Sequence, residues 1–161
     1  MFSKIEKTNH PPLEIPVMVW DGECGFCRYW ITSWSQKTKD RIVFKTYQEV
    51  AGIFPDIPLK EFKKASRLIE PDGSIYSGPD SAFRVFTYFE KQNNFWHNLY
   101  TKHTWFKSLS NNAYNFIAKH RSSMFMLTKI FFGNNPKSLS PYWLVGSVVV
   151  ISLLFLLMKY L

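Results

Sequence analysis

Cysteine is scarce in this chain: 161 residues hold two, Cys24 and Cys27, three apart. Two thiols leave a self-contained zinc site short, since structural zinc takes four ligands. The histidines do not make up the number. His10, His97, His103 and His120 form no second close pair, and the interval from His97 to His103 fits neither a helical pair nor a finger. A purely structural bridge between residues three apart would close too small a loop to stabilise much. Acidic residues are nearly missing from the second half. From Phe86 to Leu161 eight Lys and Arg face one acidic residue, Glu90, whereas Met1 to Val85 carries twelve basic against eleven acidic. An apolar core is also missing from Met1–Pro12, which holds Lys4, Glu6, Lys7 and His10, so no secretory signal is expected there. No repeats or low-complexity segments occur.

What is present centres on Asp21-Gly22-Glu23-Cys24-Gly25-Phe26-Cys27. Ile15 to Trp20 is apolar and β-branched with a proline near its start, and predicts a short buried strand. Asp21-Gly22 is a turn pair. From Cys24 to Lys37 the residues Cys24, Cys27, Ile31 and Trp34 fall on one face of a helix, while Tyr29, Thr32, Ser33 and Gln36 are polar or mixed, so the helix is expected to bury one side only. A Cys-x-x-Cys that ends a strand and opens a helix is suited to thiol–disulfide exchange. The first sulfur sits at the helix N-terminus, where unpaired N–H groups and the dipole favour a thiolate. The second lies one turn in, able to resolve a mixed disulfide.

At the other end, Tyr142 to Met158 runs without a charge. Seventeen residues at about 1.5 Å each give roughly 25 Å, the low end for crossing a bilayer. Tyr142 and Trp143 before it, and Lys159 and Tyr160 after it, are interfacial residue types. A membrane helix over 142–160 is therefore expected, anchoring the protein by its tail. The basic charge beside it points to an anionic membrane surface and to a cytoplasmic catalytic domain. Reducing conditions there suit a transient dithiol. Lysines do interleave with Phe95, Trp96, Tyr100, Trp105 and Phe106, but the lipid surface accounts for that charge, and no nucleic acid is expected.

Between these landmarks lies one small domain. The expected segments are 1–13, a polar N-terminal stretch; 14–133, the domain with helical extensions; 134–141, a linker; and 142–160, the span. Arg41 to Tyr47 predicts a second strand, and Gln48 to Lys64 a helical stretch broken by Pro55 and Pro58. Ser66 to Glu70 and Ser74 to Ser77 flank Pro71-Asp72-Gly73, a hairpin signal. Asp80 is expected at the start of a helix over Ser81 to Lys91. The spacing of Trp96, Leu99, Tyr100 and His103 suggests a further amphipathic helix. Asn111 or Asn112 is expected to cap a last helix ending near Phe132 and Gly133. Its face of Ala113, Phe116, Ile117, His120, Met124, Leu127 and Phe131 would cover the sheet or lie on the membrane.

Three stretches in this order resemble the DCC family of thiol–disulfide oxidoreductases. They are Asp21-Gly22-Glu23-Cys24-Gly25-Phe26-Cys27, then Gly73 to Phe83, then Tyr114 to Arg121. The resemblance covers about residues 15 to 133 and implies an α/β, thioredoxin-like fold: strand, helix, strand, helix, hairpin, helix, followed here by added helices and the span. Two departures stand out. Thioredoxins and glutaredoxins have a cis-proline before the strand facing the active site, where it helps bind the substrate backbone. The corresponding segment here, Lys64 to Ile69, has no proline, and Gly133 to Pro136 lacks the late cysteine of many DCC members.

These observations predict a protein-disulfide oxidoreductase of the reductase type that needs no cofactor and no metal. Cys24 is the expected nucleophile, its pKa lowered below the free value of about 8.5, and Cys27 the resolving thiol. Asp21 would accept a proton from Cys27, tie the loop through backbone N–H groups, or simply make the turn. Arg28 would favour the thiolate or be a solvated helix charge. Gly25 would give the loop freedom, and Phe26 an apolar surface to a partner. Gly78 and Asp80 resemble the turn that receives a glutathione carboxylate in glutaredoxin-like folds, or form a plain helix start. The expected partners are a disulfide-containing protein or a small thiol, the anionic membrane surface and a membrane protein. A second reading is a membrane-docked adaptor whose Cys-x-x-Cys binds a metal or a partner. A third keeps the fold without activity.

Overall fold

The computed structural model describes residues 2–140 together with Tyr142, Leu144 and Val148. The expected membrane helix over 142–160 otherwise lies outside the described residues. Among those described, no helix is long and apolar enough to cross a membrane.

Four short strands form one sheet: β1 Val17–Trp20, β2 Val43–Thr46, β3 Arg67–Ile69 and β4 Ile75–Ser77. Their order is β2-β1-β3-β4. β1 and β2 run parallel with Val17 opposite Val43, and so require a crossover, supplied by helix α1, Gly25–Thr38. β3 is antiparallel to both β1 and β4. The tight β3–β4 connection follows from Gly73, whose φ of +81° a side chain would disfavour, and from Asp72, which accepts the Ser74 N–H at 2.8 Å. This mixed α/β arrangement is compatible with a thioredoxin-like fold.

Alternation along the central strand splits the core into two layers. Met18 and Leu68 point to one face and pack with Ile31, Ile42 and Val85. Val19 and Ile69 point to the other and pack with Val50, Phe54, Ile57 and Phe62. The second layer is carried by α2, Tyr47–Val50, and α3, Leu59–Lys64. The two are separated by the predicted break around Pro55 and Pro58, because proline offers no N–H to continue a helix.

The chain then forms α4, Pro79–Val85; α5, Phe95–Lys102; α6, Thr104–Lys119; and α7, Arg121–Phe132. Three expectations change. The cap of α4 is Gly78, with Pro79 at the first helical position, and the helix ends at Val85 rather than reaching Lys91. The expected amphipathic helix at Trp96 to His103 is present as α5, but the expected last helix is divided into α6 and α7 at His120. Asn111 and Asn112 cap nothing: both lie inside α6, and the Asn111 side chain instead accepts a hydrogen bond from the Tyr100 hydroxyl at 2.9 Å.

The N-terminal stretch packs onto the sheet edge. Phe2 is buried against Gly78, and the Ile75 N–H donates to the Glu6 carbonyl at 2.8 Å. Arg67, fully buried on β3, donates to Glu61, Ser77 and the Ser3 carbonyl. A buried cation needs such a partner, since an unpaired charge in the interior is costly. Burial pushes the Glu61 carboxyl up. The Ser3 hydroxyl, the Lys64 ammonium and the Ser3 backbone N–H outweigh that effect and bring it down to about 2.

Candidate active site

β1 ends at Trp20, and a loop of four residues leads to α1. The turn is closed by the Cys24 N–H, which donates to the Asp21 carbonyl at 3.1 Å. Cys24 is the N-cap of α1, with extended backbone angles, and its sulfur accepts the Cys27 N–H at 3.1 Å. One of the free donors at the helix end is thus aimed at this sulfur, as a serine or aspartate cap would arrange it. Cys24 and Cys27 are joined as a disulfide with Cα atoms 5.2 Å apart.

Polar ties hold the loop from both sides. Gly22 donates its N–H to Gln48 Oε1 at 3.2 Å, and its carbonyl accepts from Arg28 Nη2 at 2.7 Å. A side chain at Gly22 would come within 2.7 Å of Thr46 Cγ2, so glycine is needed for the loop to lie on the end of β2. Asp21 Oδ1 accepts from the Glu23 N–H and from Gln48 Nε2, each at 3.2 Å. Its other oxygen accepts from Arg121 Nη1 at 2.8 Å. Arg121 is the first residue of α7, so this ion pair fastens the helix over the loop.

α7 also packs along α1, whose Tyr29 and Ser33 are buried, so this helix is covered on more than the one side expected. Tyr29 donates its hydroxyl to the Gly133 carbonyl at 2.7 Å, and Trp30 meets Phe132 edge-on. Close approach at the N-terminal end depends on Gly25: a Cβ there would stand 3.1 Å from the Phe125 ring. Between α1, the sheet, α4, α6 and α7 lies a cavity of about 440 Å³. Cys27 is on its wall, with Asp21 and Arg121 beside it and indole rings from Trp20, Trp30 and Trp34 around it. Four residues of the expected late-helix face, Ile117, Met124, Leu127 and Phe131, line it as well, while Phe116 points outward.

The residues singled out from sequence fall into two places. Asp21, Cys24, Gly25, Phe26, Cys27 and Arg28 gather at the loop and the first turn of α1, with Phe26 on the cavity wall. Arg28 is committed to the Gly22 carbonyl. Gly78 and Asp80 are not on that wall. Gly78 has φ +63° and is covered by the Phe2 ring, and Asp80 is paired with His97 at 3.1 Å. Three participants carried no local signal for this place: Gln48, Arg121 and Tyr114, whose hydroxyl accepts the Ser66 N–H at 3.1 Å just before β3. Among the described residues no group of three His, Cys, Asp or Glu side chains could hold a metal ion.

No curated protein and no solved structure matches the chain. The family model described as DCC1-like thiol-disulfide oxidoreductase matches residues 18–127, most of the chain, including the loop, both sulfurs, the hairpin and Arg121. With a Cys-x-x-Cys seated between β1 and α1, the chain belongs to the DCC1-like thiol-disulfide oxidoreductase family.

Proposed function

We propose that the protein reduces disulfides in other proteins by exchange at Cys24 and Cys27, working from a membrane surface to which residues 142–160 anchor it. The observation that carries the exchange chemistry is the placement of Cys24 as N-cap of α1, its sulfur accepting the Cys27 N–H. In the reduced protein the Cys24 thiolate attacks one sulfur of a substrate disulfide, forming a mixed disulfide and expelling the other sulfur as a thiolate. The Cys27 thiolate then attacks Cys24, which releases the second substrate sulfur and restores the Cys24–Cys27 bond. Two electrons and two protons pass from the dithiol to the substrate. Asp21 and Arg121 take no proton in this scheme; they position the loop.

A titration of the full-length protein across a glutathione redox series, read by thiol alkylation, tests the chemistry. A reversible two-electron transition between about −120 and −300 mV is expected. Thiols that never pair would end this reading.

Support for the membrane half comes from the uncharged run after Pro141 and the excess of basic residues before it. Exposed apolar side chains on α6 and α7 add to it, among them Trp105, Leu109, Phe116, Met126 and Ile130. In this reading the exchange domain faces the cytoplasm, where lysines meet anionic lipid. Alkaline carbonate extraction of membranes from cells making the full chain is expected to leave it in the pellet. Release to the supernatant would remove the anchor.

A further inference from the structure

The exchange reaction above leaves open how the disulfide is reduced again, and the structure places the two sulfurs differently. Cys24 is buried, with 8 % of its surface left, and lies off the cavity, whereas Cys27 is the less buried of the two and lies on the cavity wall. The cavity's volume of about 440 Å³ is that of a small-molecule site. Leu127 and Phe131 line it while remaining 40 % and 44 % exposed, so it reaches the surface along α7. The same helix carries two further exposed apolar side chains, Met126 and Ile130.

The wall decides what could enter. Among the described residues its only charged groups are Asp21 and Arg121, and they are bonded to each other at 2.8 Å. Glutathione, with two carboxylates and an ammonium, would find no free counter-charge there and would lose its hydration. A molecule with an apolar body would exchange water for the rings of Trp20, Trp30, Trp34 and Phe86. We propose that this cavity binds the apolar body of a small-molecule dithiol, which regenerates the reduced protein by attacking Cys27. The inference rests on the exchange reaction above and names the class of its electron donor.

The donor's thiolate attacks Cys27 Sγ, forming a donor–Cys27 disulfide and breaking the Cys24–Cys27 bond. Cys24 leaves as a thiolate at the helix N-terminus, where the Cys27 N–H already points at it. A leaving group stabilised in this way departs faster. The donor's second thiolate then attacks its own linked sulfur, closing a cyclic disulfide and releasing the Cys27 thiolate. The donor loses two electrons and two protons, and the protein dithiol gains them. The donor thus reaches the disulfide at Cys27, the sulfur that the cavity exposes.

Dihydrolipoamide, a dithiol on a short alkyl chain, serves as the probe, with dithiothreitol as a dithiol lacking that chain. Loss of the Cys24–Cys27 disulfide in the full-length protein is followed by alkylation and mass shift. At equal thiolate concentration dihydrolipoamide is expected to react at least about tenfold faster, the discrimination that an apolar pocket gives for a few methylenes. The ratio of the two rates is expected to fall towards one in Ala82→Leu, which fills the cavity from α4, and in Leu127→Trp, which blocks the mouth and tolerates bulk because Leu127 is part exposed. Octanamide, which has the chain and no sulfur, should slow the dihydrolipoamide reaction. A wild-type ratio near one, a ratio unchanged in both variants, or no competition by octanamide would overturn the cavity proposal and leave the exchange reaction standing. A disulfide that resists both dithiols would overturn the exchange reaction itself.

Discussion

Removing the ion pair that fastens α7 over the loop should weaken the protein and shift its redox balance in a defined direction. Asp21 and Arg121 meet at 2.8 Å with side chains 20 % and 26 % exposed. Exposed pairs contribute about 0.2–1 kcal/mol, and breaking a buried pair costs about 3–5 kcal/mol. This pair lies between those limits, and a coupling of about 1–2 kcal/mol is expected from a double-mutant cycle of Asp21→Asn and Arg121→Met. Urea unfolding of the four oxidised proteins gives that number. The cycle has a second arm. Arg121→Met alone leaves the Asp21 charge uncompensated beside the sulfurs, which disfavours the reduced, thiolate-bearing state. Its reduction potential should therefore fall, by up to about 20–40 mV if the whole coupling energy is felt at a two-electron couple. In the double variant neither charge remains, and the potential should return towards wild type. A coupling below about 0.5 kcal/mol, within the error of additivity, would refute the claim that the pair holds α7 in place. A potential that rises in Arg121→Met would refute the electrostatic argument.

Three further outcomes follow from other parts of the structure. Gly22→Ala should destabilise the protein by about 1–3 kcal/mol, the usual penalty of overpacking, because its Cβ would come within 2.7 Å of Thr46 Cγ2; the urea midpoint measures it. Glu61, held at about 2 in the folded chain against an ordinary 4.5, stabilises fully above pH 4.5 and loses that contribution as pH falls towards 2. The loss should amount to roughly 1–3 kcal/mol, and Glu61→Gln should flatten the fall in unfolding free energy over that interval. Cys27→Ser should accumulate substrate mixed disulfides on Cys24 that the wild type resolves, visible by non-reducing mass analysis, whereas Cys24→Ser should trap far fewer protein partners.

The part of the site that could be read in the sequence is the part encoded locally. An apolar run, a turn pair and a cysteine at a helix start are determined by neighbours a few residues apart, and β1, the loop and α1 appear within two residues of their expected ends. The β3–β4 hairpin was legible for the same reason, through Pro71-Asp72-Gly73. Arg121 was not, because its partner Asp21 is 100 residues away and no local period reveals the pairing. Its place in the stretch from Tyr114 to Arg121 marked it without giving it a task. Asn111 misled because asparagine favours caps only when no tertiary partner competes, and here Tyr100 does. The N-terminal stretch reads as polar. Its contribution to the fold comes from one buried ring, from backbone groups and from the Ser3 and Thr8 hydroxyls, which bond Glu61 and Asp56, 58 and 48 residues away, and so show no local pattern.

The tyrosine hydroxyl at Ser66 sets limits on how a substrate can be read. An N–H that already donates to Tyr114 is not free to pair with an extended peptide laid beside it, and the Ser66 carbonyl is likewise taken by the Gly78 N–H. Ser66, just before the interior strand β3, therefore has neither main-chain group free for a ladder with an extended peptide. In the exchange reaction proposed above, selection would fall to side chains: the rings around the cavity and the charges on the loop.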